Sequence, residues 1–106
     1  MINFSDTQLN DNYLAGEKLP ISDVLNKDIV LLDFEFGASK YGGTRTTIQF
    51  YFYDDETKTK HVILTSSTVL EKQSRELKTK YIDIDDRQEI KTKITQDGNN
   101  KCYKFI

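Results

Sequence analysis

Eight of the ten residues from Thr44 to Tyr53 are β-branched or aromatic. Such side chains lose rotamer freedom in a helix and pack well on a pleated surface, so this run predicts a strand and commits the domain to a β-rich fold. Thr46, Ile48, Phe50 and Phe52 fall on one face of that strand, and Arg45, Thr47, Gln49, Tyr51 and Tyr53 on the other. The first set reads as core. The second mixes aromatic rings with a cation and amide and hydroxyl groups.

The neighbouring segments extend the pattern. Asp28 to Phe36 opens on the apolar run Ile29-Val30-Leu31-Leu32 and then alternates, which predicts a strand covered on both faces at one end. Three glycines between Gly37 and Gly43 mark the loop that joins it to the Thr44–Tyr53 strand. Asp54 to Lys58 is a polar turn, and Thr59 to Thr65 a third strand. A helix is expected from Ser67 to about Lys80, with Thr68 and Glu71 as a capping box and Leu70, Leu77, Tyr81 and Ile84 on one stripe. Gln88–Thr95 and Lys101–Ile106 read as two further strands joined by an Asp97-Gly98 turn. Leu19-Pro20-Ile21 begins the ordered part, followed by a helical turn capped by Ser22.

Strand, strand, strand, helix, strand, strand is the order of a five-stranded OB-type barrel with one helix between strands three and four. The competing arrangement is an open α+β sheet with the helix on one face. Closure is favoured because it removes exposed edges. Residues 1–18 read as a polar N-terminal arm, and residues 19–106 as one domain.

With 106 residues, 37% of them hydrophobic, the chain supports one modest core and no deep enclosed pocket. A single cysteine, Cys102, allows no internal disulfide, and no apolar run approaches the roughly 20 residues of a membrane span. A cytoplasmic location is therefore expected. The net charge of −2 is unevenly spread: residues 1–25 carry −3 and residues 26–106 carry +1. The acidic groups Asp54-Asp55-Glu56 and Asp83, Asp85 and Asp86 sit in expected loops, which leaves room for a locally positive sheet face.

No catalytic constellation emerges. His61 is the only histidine and reads as a surface or rim residue of its strand. Cys102 has no basic cluster beside it and reads as a small packed side chain. One His and one Cys make no zinc site, and Asp83 to Asp86 lacks the glycine and glutamate of a calcium loop. No metal or cofactor is expected, and the protein reads as non-enzymatic.

A face combining aromatic, basic and amide side chains suits single-stranded nucleic acid, because rings stack on bases while cations hold phosphates. The candidate contact residues are Lys40, Tyr41, Arg45, Gln49, Tyr51, Tyr53, Lys60, Lys91 and Lys93. The opposing explanation is that tyrosine simply favours strands and that the lysines are solvated surface.

Ile21-Ser22-Asp23-Val24-Leu25-Asn26-Lys27, the following Ile29 to Glu35, Ser39-Lys40-Tyr41-Gly42, Thr65 to Leu70 and the terminal Tyr103-Lys104-Phe105 together carry a resemblance. Over about residues 20–106 the sequence resembles small single-stranded DNA-binding proteins of bacteriophages of Gram-positive bacteria, including lactococcal ones. The resemblance implies an OB fold and single-strand binding in phage DNA replication and recombination. A homodimer or larger assembly would lengthen the groove, and a phage or host recombinase is a fitting partner. The alternative is a non-catalytic protein-interaction or structural phage module on the same fold, since fold alone does not fix function.

Overall fold

The computed structural model describes residues 14–38, 43–96 and 102–106. Along them run β1 (Glu17–Lys18), a 3₁₀ turn (Ile21–Asp23), β2 (Ile29–Ala38), β3 (Thr44–Phe52) and β4 (His61–Thr65). Then follow α1 (Thr68–Leu77), a π-helical turn (Lys78–Ile82), β5 (Ile90–Thr92), β6 (Ile94–Gln96) and β7 (Tyr103–Phe105). Five strands form one mixed sheet in the order β1-β4-β3-β2-β5, while β6 and β7 form a separate two-stranded ribbon. β1 is parallel to β4, and the remaining pairs are antiparallel.

The fold is mainly β with one α-helix, but the sheet does not close into the expected barrel. Closure would require β7 to hydrogen-bond along β4. Instead, side chains of the helical segment take the outward backbone groups of β7: Gln73 bonds Phe105, and Ser67 bonds the carbonyl of Tyr103. The edge of β4 at His61–Val62 is taken by β1, whose two residues lie in what the sequence suggests is a loose arm.

The core lies between one face of the sheet, α1 and the ribbon. Ile29, Leu31, Phe34, Ile48, Phe50, Ile63, Leu70 and Ile94 are fully buried there, with Ile82 and Phe105 beside them. Phe52, expected in the core, is partly buried against this cluster, as is Ile90. Each fully buried side chain of this size contributes about 1.5–3 kcal/mol. Phe34 and Phe105 meet edge to face, with ring centroids 6.3 Å apart, which ties the ribbon to β2.

Local details depart from expectation for identifiable reasons. Ser67, with extended backbone, caps α1: its Oγ accepts from the Leu70 N–H at 3.3 Å. Thr68 is therefore already the first helical residue and Leu70 holds the third position, so the expected Thr68/Glu71 capping box does not form, and Glu71 pairs with Arg75 instead. The 3₁₀ turn starts after Pro20 with no side-chain cap, so Ser22 has no capping role. Beyond Leu77 the winding widens to i→i+5, shown by the Asp83 N–H bonded to the Lys78 carbonyl at 2.8 Å. The extra residue per turn rotates the face. Ile82 enters the core, while Tyr81 and Ile84, expected on the inward stripe, are exposed.

His61 is buried rather than on a rim, because β4 sets it opposite Phe50, where its ring packs against those of both Phe50 and Phe52. Cys102 is exposed rather than packed. It precedes β7, whose inward residues are Tyr103 and Phe105. Among the described residues, no helix is long and apolar enough to cross a membrane.

Candidate nucleic-acid interface

The face of β3 that turns away from the core carries Arg45, Thr47, Gln49 and Tyr51, as alternation requires. In register, Tyr51 faces Val30 on β2, and Val30 in turn faces Lys91 on β5, so Lys91, Val30 and Tyr51 form one row. Leu32 is the extra residue of a bulge in β2 between Leu31 and Asp33.

This second face is largely covered. Tyr51 is 7% exposed and Gln49 8%. The Tyr51 hydroxyl donates to Glu89 Oε1 at 2.9 Å, and the Gln49 amide Nε2 donates to the Ala15 carbonyl at 2.9 Å. Burial, together with the bond to Glu89 and that residue's charge, pushes the Tyr51 phenol above its ordinary pKa. What stays open is a groove of about 330 Å³ lined by Leu32, Gln49, Lys60, Arg87, Gln88 and Glu89. It joins one apolar side chain, Leu32, to two cations, two amides and one carboxylate.

Tyr53 lies just beyond the end of β3 and is 52% exposed. The Lys91 ammonium sits 3.9 Å from the centre of its ring. Two neighbouring aromatics have similar companions: Lys58 Nζ is 5.7 Å from the Tyr51 ring centre and Lys27 Nζ 5.6 Å from that of Phe52. Three consecutive rings thus each carry a lysine within cation–π range.

The turn between β3 and β4 brings Lys58 to this place. Asp55 Oδ1 accepts from both the Thr57 N–H and the Thr57 hydroxyl, and Oδ2 from the Thr59 N–H. The Thr57 hydroxyl and the Thr59 N–H hold the Asp55 carboxyl below its ordinary pKa. Lys58 takes up φ of 52° inside that loop.

The remaining candidates scatter. Lys60 is exposed at the groove. Arg45 is half-buried opposite Gly37, at the far end of β3. Lys93 points its ammonium to Asp28 at 3.7 Å. Lys40 and Tyr41 lie outside the described residues. The sequence reading missed Lys27, Lys58 and Arg87. Each is a lone cation in a polar connection, and only the fold sets it beside a ring or in the groove.

Acidic groups temper the site. Asp33 receives Lys78 Nζ at 2.8 Å and Arg87 Nη2 at 2.7 Å. Burial alone would raise its pKa, but the bonds from Lys78, the Phe34 N–H and Arg87 outweigh that and lower it. Burial and the nearby Asp33 charge raise the pKa of Glu35.

No curated protein and no solved structure matches the sequence. A family model described as a domain of unknown function, DUF8468, matches residues 15–106, from the residue before Gly16 to the chain end. The chain belongs to that family.

Proposed function

We propose that this domain binds single-stranded DNA with little sequence preference and without catalysis, in phage DNA replication and recombination in the host cytoplasm. The observation that carries the reading is the exposed Tyr53 ring with the Lys91 ammonium 3.9 Å from its centre, next to the Tyr51–Lys58 pair. A ring offers a stacking surface to any base, worth about 1–3 kcal/mol, while its lysine can turn to a phosphate. The groove lined by Leu32, Gln49, Lys60 and Arg87 adds two further cations beside this surface.

Connectivity supports an OB-type barrel as the parent architecture. Three antiparallel strands, β2, β3 and β4, lead into α1, and the next strand returns to pair with β2. In such barrels the middle strands and adjoining loops form the nucleic-acid face. A small site covers few nucleotides, so a homodimer or larger assembly would extend it, and a recombinase would act on the coated strand.

Titration of a fluorescent poly-dT oligonucleotide at two salt concentrations tests the reading. Binding that weakens with salt is expected, with a slope of about −0.7 per phosphate neutralised. No binding at low salt would overturn it.

A further inference from the structure

We propose that the groove lined by Gln49, Lys60 and Arg87 is a phosphate subsite, in which Arg87, aimed by Asp33, and Lys60 hold one phosphate of the bound strand. The proposal deepens the nucleic-acid-binding reading above and rests on it for the identity of the ligand.

The two cations reach the groove from opposite sides. Lys60 leads into β4 and Arg87 into β5, and the sheet order sets β3 and β2 between them. Lys60 is exposed and makes no ion pair among the described residues. Arg87 Nη2 is fixed by Asp33 Oδ2 at 2.7 Å and lies 3.4 Å from the Leu32 carbonyl. More than half of the Arg87 side chain stays exposed.

Asp33 does not use up the charge of Arg87. Its other oxygen, Oδ1, takes Lys78 Nζ and the Phe34 N–H, so Lys78 balances the carboxylate. A planar guanidinium held at one nitrogen presents its remaining donors as a fixed fork, which suits two oxygens of a phosphate.

The loop that carries Arg87 is pinned on both sides of it in the fold. The Gln88 N–H donates to the Tyr81 carbonyl at 2.8 Å, and Glu89 Oε1 accepts from the Tyr51 hydroxyl at 2.9 Å. The second bond also occupies one oxygen of Glu89, the carboxylate that lines the groove. Donors ordered in advance lose less freedom on binding. Lys18 adds a third cation to this face, in the row Lys18–Val62–Gln49. Gln49 precedes Tyr53 by four residues, about 13 Å of extended chain, so one short stretch of nucleic acid can place a phosphate in the groove and a base on Tyr53.

Poly-dT titrations of full-chain variants, with nuclear magnetic resonance on thymidine monophosphate, test the subsite. Arg87→Ala and Lys60→Ala should each weaken poly-dT binding at low salt by about tenfold, with a shallower salt slope. Both serve one phosphate, so the double variant should lose less than the product of the two single losses. Asp33→Asn separates aim from charge. Removing a negative charge would by itself tighten the hold on a polyanion, whereas loss of aim weakens it in a protein that circular dichroism shows to be folded. Thymidine monophosphate should shift the Arg87 Nε–H resonance of the parent, and thymidine should not.

Poly-dT binding by the parent, with equal affinity and salt slope in Arg87→Ala and Lys60→Ala and no shift with thymidine monophosphate, would overturn the subsite and leave the binding reading standing. Tighter binding by Asp33→Asn would overturn the aiming role of Asp33. A saturable shift with thymidine monophosphate in a parent that does not bind poly-dT would support the subsite and overturn the single-strand reading. Neither response in the parent would overturn both.

Discussion

Gln73 on α1 holds Phe105 on β7 by both of its backbone groups. The Phe105 N–H donates to Gln73 Oε1 at 2.8 Å, and Gln73 Nε2 donates to the Phe105 carbonyl at 3.2 Å. One primary amide thus reproduces the two-bond exchange of an antiparallel strand pair. It satisfies an edge that would otherwise invite another strand.

Replacing Gln73 with alanine should therefore destabilise the fold by about 1–3 kcal/mol, because two part-buried backbone groups lose their partner. Urea denaturation measures the change. Gln73→Glu keeps an acceptor for the N–H but sets a carboxylate against the Phe105 carbonyl, so it should not recover the parent midpoint. A midpoint unchanged in Gln73→Ala would show that water serves the edge equally well.

Asp33 joins β2 to the π-helical turn through Lys78 and to the following loop through Arg87. Its folded pKa lies below the ordinary value of 3.8, so its contribution is present above that value and fades as pH falls through the lower folded one. Lys78, with burial opposing but Asp33 prevailing, lies above 10.5, so its share is present below that value and is lost at higher pH. Asp33→Asn should lower Tm at neutral pH, with the gap narrowing in strong acid. A gap independent of pH would point to lost hydrogen-bond geometry instead.

Glu35 works the other way. Burial and the Asp33 charge raise its pKa, and its Oε2 is buried with no hydrogen-bond partner among the described residues. Ionisation therefore costs the folded state, and the loss grows as pH rises past 4.5. Glu35→Gln is expected to raise Tm at neutral pH and to confer less gain below pH 4.5. Thermal melts across that range decide it, and a lower Tm at every pH would contradict the assignment.

Tyr51 and Tyr53, two residues apart, should respond differently to alanine. Tyr53 is exposed, so Tyr53→Ala should cost about 1–3 kcal/mol in poly-dT binding with little change in salt slope or Tm. Tyr51 is buried and bonded to Glu89, so Tyr51→Ala should chiefly lower Tm. Lys91→Ala should make the salt slope shallower by about 0.7. If Tyr53→Ala binds as tightly as the parent, Tyr53 is not the stacking residue.

What the sequence determined by itself was local. The period-two alternation from Thr44 to Phe52 assigns Ile48 and Phe50 to the core, because pleating leaves successive side chains no choice of face. The β-rich class and the helix after the third strand were legible for the same reason: each depends on neighbours a few residues away. Tertiary structure decided the rest. β1 has no hydrophobic pattern of its own and exists through bonds to Lys60 and Val62, more than forty residues on. Tyr51 and Gln49 share the non-core face as expected, yet residues 15 and 89 cross over and claim their polar groups. Barrel closure turned on whether the outward edge of β7 met β4 or the amide of Gln73. That competition among hydrogen-bond partners, distant along the chain and similar in strength, leaves no periodicity in the sequence to read.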